Sequence, residues 1–204
     1  SLTESRFLVF IFATLTCLIC CFISYFLFYL NQIICIIFIL DLSAKFVENV
    51  CVLGAGSTKY GKLDDSISDI TIQASAAAIE NAGIEPKEIK AGYISNVFGV
   101  ADKQVHLGPV VMSNLGISER PSLSIESACG SGSVSFREAY ANVAAGFYDA
   151  VLVTGVEKVT HTGTEWTTTY FSYCSDFFYE GQAGASFPGL FASMARAYLN
   201  EFDA

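Results

Sequence analysis

The stretch ESACGSGS, Glu126 to Ser133, sets one cysteine among small residues. Ahead of it PSLSI alternates like a strand, and behind it residues 131–145 read as a helix. Cys129 is therefore expected where a strand ends and a helix begins, the place where open α/β sheets put ligand chemistry. The unpaired amides and dipole of such a helix favour an anion, which predicts a populated thiolate. Gly130 and Gly132 let a carbonyl approach the sulfur and leave backbone N–H groups uncovered, as stabilising a tetrahedral oxyanion requires. The competing reading is a buried structural cysteine. Ser131 is a second nucleophile candidate, but G-x-S-x-G does not occur, since Gly130 and Gly132 flank it directly, and no charged partner can be assigned.

Other chemistry is thinner. The Gly54-x-Gly56 pair after VCVL invites a dinucleotide reading, yet the third glycine of that fingerprint would fall at Lys59 and no helix opens at once. Seven cysteines and two histidines occur in 204 residues. Cys17, Cys20, Cys21 and Cys35 lie in an apolar leader, and Cys51, Cys129 and Cys174 are far apart, which is neither a disulfide framework nor a zinc spacing. The pattern fits a reducing, cytoplasmic setting. Residues 1–46 carry Glu4, Asp41, Arg6 and Lys45 and sum to zero, so the net charge of -9 belongs to residues 47–204. Such acidity argues against nucleic acid as a partner.

The elements that must hold Cys129 begin after Lys45. Residues 1–46 form the leader, uncharged from Phe7 to Leu30, which is length enough to span a membrane. It reads either as a transmembrane helix or, since the chain opens at Ser1 with a Phe/Ile/Leu/Cys-rich run, as translated AT-rich sequence upstream of a true start. From 47 onward strands and helices alternate. Val47–Leu53 is the first strand, and Ser66 with Asp69 forms a capping box opening a helix that Gly83 closes. AGYISNVFG is the second strand, VHLGPVVMSNLG a short helix interrupted by Pro109, SLSIESA the third strand, and DAVLVTGVE the fourth. The helix after Cys129 is apolar on nearly every side and predicts a buried one. Residues 160–188 read as an irregular Thr- and aromatic-rich loop, and residues 189–200 as a last helix. Trp166, Tyr170, Phe171, Tyr173, Phe177 and Phe178 are read as packing or interface residues, Cys51 as core, Cys174 as incidental, and Glu157-Lys158 as structural. The alternation predicts an α/β fold, a mixed and mainly parallel sheet covered by helices on both faces.

ESACGSGSVSFREAYANVAAGFYDAVLVTGVEKVTH resembles the nucleophile segment of the thiolases: an S-A-C-x-S-G-type turn, a helix ending A-x-G-x-x-D, and a strand closing in G-V-E-K-x-T. VCVLGAGSTKYGK and FPGLFASMARAYLNEF are most similar to the sterol-carrier-protein-x and archaeal acetyl-CoA acetyltransferase branch. The resemblance covers about residues 47–202 and the N-terminal half of that family's two-half fold, with 160–188 as the start of its loop region.

What the resemblance implies is an acyltransferase of lipid metabolism and isoprenoid biosynthesis. Cys129 would take an acyl group from a coenzyme A thioester and pass it to a second acetyl-CoA, or work in reverse on acetoacetyl-CoA. Acyl-CoA thioesters would be substrates, with no tightly bound cofactor and no metal. A homodimer or tetramer, assembled with hydroxymethylglutaryl-CoA synthase, would follow. The family's activating histidine and second cysteine match nothing here, so His106 and His161 read as packing or surface residues and the fragment alone as inactive. The alternative is a non-catalytic, membrane-anchored thiolase-like domain that binds acyl-CoA or a partner.

Overall fold

Ser66 opens the first helix as its spacing to Asp69 predicts. Its hydroxyl accepts from the Asp69 N–H at 3.1 Å, and the Asp69 carboxylate accepts from the Ser66 N–H at 3.3 Å. The helix, α1 (Ile67–Ala82), stops at Gly83, whose φ of 67° is the left-handed conformation glycine adopts cheaply. Seven of its residues, from Ile67 to Ile79, are buried on one stripe, which needs a sheet to lie on.

The computed structural model describes residues 6–11 and 50–203. Five strands, β1 (Arg6–Ile11), β2 (Val50–Gly56), β3 (Ala91–Ser95), β4 (Ser122–Ile125) and β5 (Ala150–Gly155), form one sheet in the order β2-β1-β5-β3-β4. All four described pairings are parallel. Side chains alternate between the faces: Ile94 and Leu152 join α1 and α2 (Leu107–Asn114) on one side, while Tyr93, Val151 and Val153 meet α3 (Ser131–Ala144) on the other. The result is helix, sheet and helix in three layers.

Several expectations change. Arg6–Ile11 forms a strand inside the apolar leader, where no strand was expected; a run without alternation is compatible with a strand in the middle of a parallel sheet. The rest of the leader, most of the expected membrane span and residues 47–49 at the start of the expected first strand lie outside the described residues. Among the described residues no helix is long and apolar enough to cross a membrane. Pro109 does not interrupt α2, because it sits in the first turn, where a missing N–H costs nothing. α3 buries only Ser131, Ser135, Ala139 and Val143, one stripe against the sheet, and Tyr140 on its outer side is exposed. Cys51 is exposed rather than core, because β2 lies at the sheet's edge. Residues 160–188 are not all irregular: α4 (Thr164–Ser172) is a helix in which Thr167, Thr168 and Thr169 each donate their hydroxyl to the carbonyl four residues back. A π-turn follows at Phe177–Gly181, and α5 (Phe187–Phe202) begins two residues before the expected start, capped by Ser186.

The Gly54-x-Gly56 pair has a packing role. A Cβ at Gly54 would lie 2.5 Å from the Ala82 nitrogen and 2.7 Å from the Ala78 carbonyl oxygen, so strand and helix meet backbone to backbone. The alanine-rich face of α1 matches these glycines. Gly54→Ala is expected to destabilise the fold by about 1–3 kcal/mol, because the clash is with main chain that cannot rotate away. Chemical denaturation should show a lower midpoint, and an unchanged one would mean that α1 slides freely on β2.

Candidate active site

β3, β4 and β5 end side by side, with Ser95 in register with Ile125 on one flank and Gly155 on the other. Parallel strands deliver their following loops to one rim, and the three loops leaving these ends build the site.

From β4 the chain runs through Glu126 and Ser127 into a single 3₁₀ turn, Ala128–Gly130, and then α3. Ala128 has φ 44°, in the left-handed region. That conformation costs a non-glycine residue roughly 1 kcal/mol or more and needs surroundings that enforce it. Three hydrogen bonds do so. The Ser127 N–H donates to Ser131 Oγ at 2.8 Å, the Ser131 hydroxyl donates to the Ala128 carbonyl at 2.7 Å, and the Ala128 N–H donates to Glu126 Oε1 at 2.5 Å. The turn reverses the chain sharply, and Cys129, the next residue, is exposed. It is not the buried structural thiol that the sequence left open. Ser131, 5% exposed, spends its hydroxyl inside the turn and is not available as a nucleophile.

Ser131→Ala leaves the Ser127 N–H without its acceptor and releases one restraint on Ala128. The expected cost is about 1–3 kcal/mol, read as a shift in urea midpoint. No shift would mean that the Glu126 bond alone sustains the turn.

Gly130 and Gly132 border open space. A Cβ at Gly130 would meet only Ser127 Oγ, at 3.8 Å, and one at Gly132 nothing within 4 Å. Gly130 has φ -91°, which any residue can adopt. Neither position needs glycine for packing, so their smallness leaves room beside Cys129.

A pocket of about 400 Å³ opens against the turn. Glu126 and Ala128 form one side, Val97, Phe98 and Val100 from the loop after β3 a second, and Tyr170, Tyr173, Cys174 and Ser175 from the end of α4 a third. Phe98 fixes the corner, packing edge-on against Phe171 at 5.1 Å between centroids and stacking on Tyr170 at 6.0 Å. The aromatic run thus divides: Phe171 is core, Tyr170 and Tyr173 line the pocket, and Trp166 and Phe178 face solvent. Cys174, expected to be incidental, is a wall residue.

The loop after β5 holds this arrangement from behind. Glu157, 6% exposed, accepts from the Val97 and Phe98 N–H groups. Burial pushes its carboxyl pKa up, and these hydrogen bonds pull against that rise. Lys158 Nζ lies 3.2 Å from Asp102 Oδ1, while Asp102 Oδ2 accepts from the Ile67 N–H at 2.7 Å and so caps α1. His161 Nε2 sits 3.1 Å from the Ala101 carbonyl and 3.4 Å from Asp102 Oδ1. His106 precedes α2 as its N-cap residue and is exposed. Neither histidine is among the residues lining the pocket.

Residues 50–178 match the thiolase N-terminal domain. The chain belongs to the thiolase family. It is 38% identical over 158 residues to an acetyl-CoA acetyltransferase of Methanocaldococcus jannaschii, covering 76% of this chain and 40% of that protein. With the acetyl-CoA acetyltransferase of Methanothermobacter thermautotrophicus it shares 36% identity over 158 residues, 76% of this chain and 41% of that one. This thiolase-family chain therefore spans about two fifths of the length of these curated relatives. The crystal structure of 3-oxoacyl-(acyl-carrier-protein) synthase III from Aquifex aeolicus VF5 aligns over 48% of this chain and 32% of its own, with 20% identity and a TM-score of 0.44.

In this thiolase chain the turn around Cys129 is visible in the sequence, whereas the groups that brace the loops beside it are not. Glu157-Lys158 reads from the sequence only as structural, and nothing local marks Asn96 or Asp102. One signal was present: an acidic residue directly past the end of a central strand falls on the rim where the site is built.

Proposed function

We propose that this chain is the nucleophile-bearing N-terminal half of an acetyl-CoA acetyltransferase-type thiolase of the sterol-carrier-protein-x and archaeal branch. The observation that carries the reading is Cys129, exposed past the carboxyl end of β4 at a turn held in the left-handed conformation, two of whose residues, Glu126 and Ala128, line a pocket of about 400 Å³ that Cys129 itself does not line. Its thiolate attacks the thioester carbonyl of an acyl-CoA. The new bond joins the Cys129 sulfur to the acyl carbon, the bond to the coenzyme A sulfur breaks, and coenzyme A leaves as the thiolate. The acyl group then passes to the α-carbon of a second acetyl-CoA, giving a 3-ketoacyl-CoA such as acetoacetyl-CoA, or the steps run in reverse. Open space at Gly130 and Gly132 supports approach of the carbonyl from that side. The Gly130 N–H is already donated to the Ser127 carbonyl at 2.9 Å, contrary to the uncovered amide expected there, so the Gly132 N–H is the candidate oxyanion donor.

On the same reading, coenzyme A thioesters are substrates and no cofactor is bound tightly. The resemblance of the sequence to the thiolases further implies a cytoplasmic homodimer or tetramer, with hydroxymethylglutaryl-CoA synthase as a partner in isoprenoid biosynthesis. The test is incubation with acetyl-CoA and no second substrate. Mass measurement should find one added acetyl group, on Cys129; an unmodified Cys129, or acetyl groups spread over lysines, would remove the reading.

A further inference from the structure

We infer that Glu157 is a positioning residue that holds the loop Asn96–Phe98 as one wall of the pocket that Ala128, the residue before Cys129, also lines. The inference rests on the thiolase reading for what the pocket receives, and on geometry for the role.

The loops after β3 and β5 leave adjacent strands, and the Val156 N–H donates to the Ser95 carbonyl at 3.0 Å. Beyond that point the side chain of Glu157 links the two loops. Its Oε2 accepts from the Val97 N–H at 3.0 Å, and its Oε1 accepts from the Phe98 N–H at 3.1 Å and from Asn96 Nδ2 at 3.2 Å. Asn96 Nδ2 also donates to the Val156 carbonyl at 2.8 Å. Two consecutive backbone N–H groups converging on one carboxylate is an anion-holding arrangement, and only a group with two acceptor oxygens can serve both amides and the asparagine together.

The bonds matter because of where they act. Val97 and Phe98 carry the wall of the pocket that faces Ala128, the residue before Cys129. The far end of the same loop is tied independently, through Asp102 with Lys158 and with α1. The Asp102 contacts can therefore keep the fold closed while Glu157 sets the wall. Stability alone does not account for the carboxylate: burial disfavours its ionised form more than the hydrogen bonds restore, so the ion is less favoured in the fold than in water.

Glu157→Gln isolates the effect, since glutamine has the same shape but only one acceptor oxygen. Whichever end carries the NH₂, it faces an N–H donor of the loop. Two measurements on the full chain separate the outcomes. Amide hydrogen exchange at Val97 and Phe98 should quicken roughly ten- to a hundred-fold, the loss of bonds to a charged acceptor, while Ile94 inside β3 keeps its wild-type rate. Acetylation of Cys129 by acetyl-CoA should slow by a similar factor, whereas alkylation by iodoacetamide, too small to need the pocket wall, should stay within about two-fold. Glu157→Asp, which keeps both oxygens, should recover part of the loss. Unchanged exchange at Val97 and Phe98 would overturn the inference whether or not the chain accepts acetyl. So would equal slowing of both reagents, which would mark general damage to the turn. Wild-type chain that takes no acetyl would instead remove the thiolase reading of Cys129 and leave the exchange result to judge the loop.

Discussion

Cys129→Ala is expected to take up no acetyl group from acetyl-CoA, under conditions in which the wild-type chain gains one. The alanine has no nucleophile to offer, and removing one outright costs about 10⁴- to 10⁶-fold. The variant should keep its fold, because the side chain is exposed and the bonds that shape the turn come from Glu126, Ser127 and Ser131. Circular dichroism and denaturation midpoint are expected to match wild type, which separates chemical loss from structural loss. Equal acetylation of the two proteins would place the acceptor elsewhere and end the assignment. The neighbouring Ser131 cannot substitute, since its hydroxyl is buried and engaged with Ala128.

The second large effect concerns turnover. Forming a carbon–carbon bond requires a group that deprotonates the α-carbon of the second acetyl-CoA, and a missing acid/base partner costs about 10²- to 10⁴-fold. His161 is engaged with Ala101 and Asp102, and His106 lies at the start of α2. We expect the 204-residue chain to form the acetyl-cysteine slowly and not to cleave acetoacetyl-CoA. Co-expression with the remaining portion of the Methanocaldococcus jannaschii relative, of which this chain covers 40%, should restore cleavage where the two parts assemble. Thiolysis by the chain alone at a rate comparable to the pair would make His106, His161 or Glu126 catalytic after all. Substituting each by alanine would then identify which.

The turn around Cys129 was legible because its signal is local. A strand ending in a small-residue turn before a helix needs only about ten consecutive residues, and the capping box of α1 and the four strands expected after Lys45 are equally short-range. Elements whose identity depends on distant partners were harder. The helix α3 reads as buried all round because its residues are apolar, but only the sheet decides which stripe is covered. Arg6–Ile11 carries no strand alternation, and its place between β2 and β5 is visible only once both neighbours exist.

What the sequence determined by itself is the thiol, the glycines beside it and the α/β order that delivers them to a strand end. These follow from hydrophobic period, caps and turn residues, all read within one turn or strand of the residue concerned. What only the tertiary structure decided is the set of groups that shape the site. Glu157 meets Phe98 across 59 positions of sequence and Val97 across 60, and Lys158 meets Asp102 across 56. Hydrogen bonds of that separation leave no periodic trace, because they depend on parallel strands ending together and not on any pattern along the chain. The left-handed turn at Ala128 is of the same kind. An alanine does not announce positive φ, and it is held there by a carboxylate, a hydroxyl and the close of a strand that must all be in place at once.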